Sequence, residues 1–296
     1  MAFAFSNLAQ AVWSDLGKVL PFHQFLASGG STTTITNDDW TAREDGPEDN
    51  YCIDWTAVVV RDAAGASAAP EGELARITAY VASTTTYTID AVSAAVASGD
   101  EILIANSDIP LREMYRICNR ALTELGDIAL VDTSGTTAAS KTEYSLAVAL
   151  KSGSPIKVEY QARTGDSDDN RWQVIPDASI EPAAPGSTGI LRIPQLPAGR
   201  TIRIVYNGVH PTLTAYSSVI SESIHPKLAI AAATAHALQW INGTQSGGTS
   251  YSVQRENKAW QDLEIAKAQH PIWKLTSLPK RDTYWMEKED IEAEWL

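Results

Sequence analysis

Apolar residues recur at three- and four-residue spacing in four stretches of the chain, and this periodicity predicts four amphipathic or buried helices. The predicted helices span 5–16, 110–125, 225–241 and 251–269. The third is rich in alanine and apolar almost all round, which is typical of a helix packed against other helices. Because alanine allows close approach of a neighbouring backbone, we expect Ala231 and Ala235 at tight helix contacts, within one subunit or between subunits.

Short segments rich in Thr, Val and Ile follow the first helix and predict an antiparallel sheet. The predicted strands span 31–36, 56–61, 73–81, 86–90 and 101–105. In the third strand every second residue is apolar, so we expect Ile77 and Val81 on the buried face and Tyr80 on the solvated face. We interpret residues 31–108 as a β-meander.

A second β region extends from about residue 142 to 206. Five short strands, separated by turns rich in Pro and Gly, predict a β-sandwich or an open barrel. In the segment 155–160, Val158 belongs to the predicted apolar face, and Lys157 and Glu159 belong to the polar one.

Together these elements predict an α+β fold, in which a helical core carries two inserted antiparallel β modules and an extended C-terminal arm. The predicted segments are an N-terminal helix (1–30), the β-meander (31–108), a core helix (109–126), the second β module (127–222), the C-terminal helices of the core (223–270) and the arm (271–296).

Charge and targeting signals narrow the class of partner. The 296 residues include 36 Asp and Glu against 23 Lys and Arg, a formal net charge of −13, which argues against binding nucleic acid through its phosphates. The N-terminus has no basic region, and the run 228–241 is too short to span a bilayer, so we expect no membrane partner. Cys52 and Cys118 have no CxxC partner and are interpreted as free thiols, with a single bridge between them as the alternative.

Motifs for catalysis are missing from the sequence. It contains no GxGxxG, no Walker loop, no HExxH and no GxSxG, so we predict no enzyme activity, no cofactor and no catalytic metal. The segment DSDDNR (166–171) resembles the opening of a calcium loop, but Arg171 stands where the turn glycine is required, which favours a polar hairpin. Acidic pairs suited to glycoside hydrolysis are too unspecific to interpret in so acidic a chain.

The second predicted helix carries a row of basic residues on its polar face. Arg112, Arg116 and Arg120 follow one another at four-residue spacing, with Glu113 and Glu124 beside them. The pattern fits either a grip on an acidic partner surface or an ordinary solvated face.

Residues 271–296 combine polar composition with an unusual content of aromatics. Three of the nine tryptophans of the chain fall here, and the aromatic residues singled out are Trp273, Tyr284, Trp285 and Trp295. Disordered tails are poor in aromatics, and aromatic residues commonly anchor interfaces. We interpret the segment as an interaction arm that orders on a partner or a neighbouring subunit; a clasp on its own domain is the alternative.

The order of these segments resembles a known family of virion proteins. The segments are GGSTTTIT, ARITAYVASTTTYTIDAV and SGDEILIA, then LREMYRICNRALTELG, TIRIVYNGVHP and the alanine-rich HPKLAIAAATAHALQWI. Over about residues 1–270 this order is similar to head-to-tail adaptor (neck or connector) proteins of tailed bacteriophages.

The resemblance implies a ring, with twelve copies to match a portal, helices in the central bundle and β modules outward. Its partners would be the portal and tail or neck proteins, and its place the neck of the virion after synthesis in the host cytoplasm. An acidic lumen would repel phosphates, so that DNA passes through without binding. Two other classes stay open: another virion component (tail, baseplate or decoration protein), and a carbohydrate-binding or hydrolytic β protein.

Overall fold

The chain folds into a mixed α and β structure made of two compact units. The computed structural model describes residues 3–17, 19–37, 48–65, 68–105, 108–146, 156–161, 172–176, 178–181, 189–244 and 250–275. Within these ranges it has four helices and antiparallel sheets of seven, four and three strands, which confirms the α+β class. The first unit comprises residues 1–125 and 210–272, and the second comprises 126–209 and 273–296.

The four helices of the first unit lie close to their predicted positions. They are α1 (Phe5–Asp15), α2 (Leu111–Glu124), α3 (Pro226–Thr244) and α4 (Ser250–Gln269). Proline precedes or opens two of them, Pro110 at α2 and Pro226 at α3, where its missing N–H costs no hydrogen bond. Helix α2 is followed by Gly126 at φ +91°, a left-handed conformation that glycine adopts without steric cost.

Helix α3 packs against each of the other three helices. Its alanines are buried on several sides, which fits its lack of a polar face, since side chains this small let neighbouring helices approach closely. Between α1 and α2, the rings of Phe5 and Tyr115 stack with their centroids 3.9 Å apart. Cys118 of α2 is a buried free thiol in this core. Cys52, in the turn before the strand Thr56–Arg61 of the sheet described next, is also buried and free, which confirms the interpretation of both cysteines.

The seven-stranded sheet of the first unit is not a simple meander. Its strands are β1 (Val19–Leu26), β2 (Gly29–Gly30), β3 (Thr34–Thr36), β4 (Thr56–Arg61), β5 (Leu74–Val81), β6 (Thr86–Ile89) and β7 (Glu101–Ala105). The spatial order is β1-β7-β4-β5-β6-β3-β2. Strands β4, β5 and β6 form a meander, but β7 returns to lie between β4 and β1, so the meander prediction is wrong for the sheet as a whole.

Strand β1 was missed by the sequence patterns, which placed residues 1–30 with the N-terminal helix. It contains Pro21, which has no backbone donor, and its register with β7 is irregular between Val19 and Gln24. An interrupted strand of this kind gives little alternation in the sequence.

A β-bulge in β5 reverses the predicted burial at the end of that strand. Ile77 pairs with Ile89, but Ala79 pairs with Thr88, so β5 carries one extra residue at this point. A shift of one residue exchanges the two faces of a strand. Tyr80 is therefore 1% exposed and Val81 is 41% exposed, the opposite of the simple alternation.

The second unit consists of a four-stranded and a three-stranded sheet. Its strands are β8 (Ile128–Thr136), β9 (Glu143–Ser145), β10 (Ile156–Gln161), β11 (Trp172–Val174), β12 (Ser179–Glu181), β13 (Ile190–Arg192) and β14 (Thr201–Gly208). The spatial orders are β11-β10-β14-β8 and β12-β13-β9. Residues of both sheets, among them Tyr144, Val158, Leu191 and Ile204, belong to one hydrophobic cluster.

The two ends of this unit's main segment lie side by side. Strands β8 and β14 pair antiparallel, and the register places Ile128 opposite Gly208. The chain therefore enters and leaves the segment 126–209 at neighbouring positions of one sheet.

Residues 273–275 are bonded to the same two strands. The amide of Ala129 donates to the carbonyl of Trp273 at 3.1 Å. Asn207 Nδ2 donates to the carbonyl of Leu275 at 2.8 Å, and Asn207 Oδ1 accepts from the amide of Leu275 at 2.9 Å. The start of the predicted arm is thus attached to the second unit.

Candidate functional site

The buried acidic residues of the first unit stabilise turns. Asp100 accepts hydrogen bonds from the amides of Ala63 (2.9 Å) and Ala97 (2.7 Å), and Glu73 accepts from the amide of Ser93 at 2.8 Å. Within the described ranges, no three His, Cys, Asp or Glu side chains are grouped to hold a metal ion. The loop 166–171, considered for calcium, lies outside the described residues.

A groove between α2 and α3 is the first candidate site, and we call it the arginine groove. It has a volume of about 330 Å³ and is lined by Glu113, Arg116, Ile117, Arg120, His236, Gln239, Trp240 and Gly243. The lining residues of each helix recur at three- and four-residue spacing, so each helix contributes one continuous face.

The cationic wall of this groove is held in place by pairs along α2. Arg116 Nη1 lies 3.0 Å from Glu113 Oε1, and Arg120 Nε lies 2.7 Å from Glu124 Oε1. Both arginine side chains are more than 60% exposed (63% and 61%). Because a guanidinium has five N–H donors, each arginine retains the capacity to bind a further carboxylate.

His236 lines the same groove from α3. Its Nε2 lies 3.2 Å from Glu124 Oε2, and its buried Nδ1 has no hydrogen-bond partner among the described residues. Burial lowers the pKa of His236, although Glu124 acts in the opposite direction, so the ring is neutral at pH 7. The carboxylate beside Nε2 assigns the proton to that nitrogen and leaves Nδ1 as a buried acceptor.

A second groove, which we call the alanine groove, is formed by α1, α3 and α4. It has a volume of about 350 Å³ and is lined by Ala11, Asp15, Lys227, Ile230, Ala231, Thr234, Ala259 and Asp262. Its floor is formed by small and apolar side chains, and its rim is charged. Arg255 donates from Nη2 to the carbonyl of Asp15 at 2.8 Å, which ties α4 to the end of α1.

The predicted interface residues fall in different environments. Ala231 is half-buried in the alanine groove, whereas Ala235 is 0% exposed and packed inside the subunit. Trp273 is 58% exposed, although its backbone is bonded to β8. Tyr284, Trp285 and Trp295 lie outside the described residues.

The second unit contains an ion cluster that the sequence patterns did not reveal. Glu159 was predicted on the polar face of its strand, but it is 2% exposed and lies 2.6 Å from Lys157 Nζ and 2.7 Å from Arg203 Nε. The Arg203 guanidinium lies over the Trp172 ring, 4.3 Å from its centroid. Burial raises the pKa of Glu159, but the hydrogen bonds from Lys157 and Arg203 outweigh it and hold that pKa below its usual range.

The sequence patterns identified one wall of the arginine groove but not the other. The row of arginines on α2 was recognised, but its opposing wall, His236 and Trp240, was not. Periodicity identifies the faces of one helix; which face of another helix lies opposite depends on tertiary packing. The one available signal is that His236, Gln239 and Trp240 interrupt the alanine pattern toward the end of α3.

In the described part of the chain, none of the helices combines the length and apolar character needed to cross a bilayer. No protein-family model matches the sequence, and no curated protein is similar enough to it to count as a match.

Proposed function

We propose that the protein is a structural head-to-tail adaptor of a tailed bacteriophage, a neck protein that forms an oligomeric ring between portal and tail. In this proposal the helices form the core of the subunit, and the second β module, of sandwich or open-barrel type, is inserted into it. The C-terminal segment is an extended interaction arm. The protein works by assembly, without turnover chemistry, cofactor or metal.

The observation that carries the proposal is the environment of α3. This helix is surrounded by α1, α2 and α4, and its two flanks open to the surface as the arginine groove and the alanine groove. Both grooves are walled by regular helix faces, which suits the docking of another protein segment.

The negative net charge of the chain favours a channel through which DNA passes, rather than a surface that binds DNA tightly. With a formal net charge of −13, a ring of twelve copies would line its lumen with negative charge and repel the phosphate backbone. The proposed partners are other copies of this chain, the portal and the tail or neck proteins, all in the virion neck and none in a membrane.

Negative-stain microscopy of the purified protein, alone and mixed with portal, tests the proposal. We expect rings whose copy number is twelve and whose axis coincides with that of the portal. A protein that stays monomeric in both samples would contradict the adaptor function. So would cleavage of polysaccharide or peptidoglycan that one Asp or Glu substitution abolishes, because it would reveal an enzyme.

A further inference from the structure

We propose that the arginine groove binds the acidic C-terminal segment 286–296 of a second copy of this chain. The inference rests on the proposed function in one respect: it names the contact that would join neighbouring subunits of the ring. It is carried by the chemistry of the groove, the composition of the segment and the point at which the described chain ends.

The groove presents cations above an apolar floor. Arg116 and Arg120 are exposed at its edge, and Arg112 continues the row one helical turn earlier. Ile117 and Trp240 contribute apolar surface between them. Such a surface fits a segment in which carboxylates and large apolar side chains alternate.

Residues 286–296, with the sequence MEKEDIEAEWL, have that composition. The segment contains five carboxylates and one lysine, and its large apolar residues are Met286, Ile291, Trp295 and Leu296. Its negative charge complements the arginine row.

The point of attachment leaves enough chain for a contact with a neighbouring copy. Leu275 is fixed to Asn207 of the second unit, and ten residues separate it from the start of the acidic segment at Met286. Residues 276–285, fully extended, span up to about 35 Å, which is more than the diameter of a small domain.

A segment-into-groove contact also has the symmetry that a ring requires. One surface of a subunit meets a different surface of the next, which makes the interface heterologous, and heterologous interfaces close into rings when the rotation permits. A dimer made by a single self-complementary patch would not generate a ring of this kind.

Two full-length variants test the contact from its two sides. The groove variant carries Arg116→Gln and Arg120→Gln, and the segment variant carries Glu287→Gln, Glu289→Gln, Asp290→Asn, Glu292→Gln and Glu294→Gln. The self-association of each is measured by analytical ultracentrifugation across a concentration series. Because two exposed charge pairs are lost, we expect the groove variant to associate at roughly tenfold higher concentration than the wild type.

A matched control removes an arginine elsewhere in the first unit. Arg76→Gln replaces an arginine on β5 of the seven-stranded sheet. Its side chain has a similar exposure, 55%, and it pairs with Asp54 and Asp90. We expect this variant to associate like the wild type. Thermal melting of all variants should stay close to that of the wild type, since exposed pairs contribute little to folding.

Mixing the two variants decides whether the segment binds its own subunit or a neighbour. Each variant retains one intact half of the contact, so an equimolar mixture should form heterodimers at concentrations at which neither variant associates alone. A mixture that stays monomeric would overturn the proposal. Unchanged association of both variants would also overturn it.

Charge exchange gives a second, independent readout. Arg116→Glu with Arg120→Glu should abolish association, and adding Glu292→Lys with Glu294→Lys in the same chain should restore it. Failure of the restoration would count against a direct contact. If portal-bound rings form regardless of these substitutions, this inference falls and the adaptor function stands. If the substitutions change self-association as expected but the wild-type protein binds no portal, this inference stands and the adaptor function falls.

Discussion

Burial favours the neutral form of two histidines of the first unit, His210 and His236. His210 donates from Nδ1 to the carbonyl of Pro211 at 2.6 Å, and its Nε2 accepts from the amide of Ser221 at 3.0 Å. Burial lowers the pKa of His210, as it does that of His236. Protonation of His210 at Nε2 would remove the acceptor of the Ser221 amide, so the folded state favours the neutral form of the ring.

We therefore predict that the free energy of unfolding falls as the pH drops below about 6.5, the usual pKa of histidine. Below that pH the unfolded chain binds protons that the folded chain does not. The contribution of the neutral histidines to the free energy of unfolding is therefore fully present above pH 6.5, and it is lost as the pH falls toward their lowered pKa values in the folded state. Melting temperatures between pH 8 and pH 5 measure the effect. The variant His210→Asn with His236→Gln should show a flatter profile, and an unchanged slope would contradict the assignment.

The Glu159 cluster gives a second prediction at single-residue scale. Glu159→Gln removes a buried carboxylate bonded to Lys157 and Arg203, and we expect it to cost about 1–3 kcal/mol of unfolding free energy, measured by urea denaturation.

The control for this prediction is Glu143→Gln. Glu143 also pairs with an arginine, Arg192, at 3.1 Å, but its side chain is 56% exposed. Its loss should cost about 0–1 kcal/mol, as for other surface pairs. Equal costs at both positions would mean that burial of Glu159 adds nothing to its ion pairs.

At the scale of elements, the packing of α3 places the two alanines predicted at tight contacts in different environments. Ala235 faces the interior, whereas Ala231 borders the alanine groove. Ala235→Leu should therefore overpack the core at a cost of about 1–3 kcal/mol, seen as a lower melting temperature. Ala231→Leu is the matched control, because the groove has room for the added atoms. If Ala231→Leu costs as much, the groove is closed in solution.

The helices could be predicted from the sequence and several strands could not, for a physical reason. The period of a helix is set by residues three and four apart, so the spans of α1 to α4 are readable locally. The strand β1, the placement of β7 and the bulge near Ile77 depend on partners distant in the chain. The same holds for Glu159, whose burial requires Arg203 from another strand, and for the groove wall opposite the arginines.

At the scale of the whole molecule, the aromatic arm begins inside the fold and ends outside the described residues. Asn207 and Ala129 bind residues 273–275, so a truncation before Trp273 would remove contacts of the second unit itself. The informative truncation comes after Leu275. It separates the anchored part of the arm from the part that contains Tyr284, Trp285 and Trp295.

We predict that this truncation leaves the melting temperature nearly unchanged but weakens assembly onto the portal, because the proposed function assigns the removed aromatics to an interface. Trp285→Ala should reproduce part of the loss. Melting and co-assembly are measured on the same sample. A truncated protein that melts several degrees lower yet assembles normally would support a clasp on its own domain.

The paired ends of the segment 126–209 give a last prediction. Because Ile128 lies opposite Gly208, replacing residues 129–207 by a short Gly-Ser linker should leave the first unit folded, with cooperative thermal unfolding and the circular dichroism of its helices. Loss of cooperative unfolding would show that the first unit depends on the second.

That adjacency also has an evolutionary consequence. Insertions, deletions or a complete exchange of the sequence between β8 and β14 leave the distance between α2 and residue 210 unaltered. Selection can therefore remodel the second unit for new contacts without disturbing the helices, and laboratory grafting of a foreign domain at the same junction follows an identical logic.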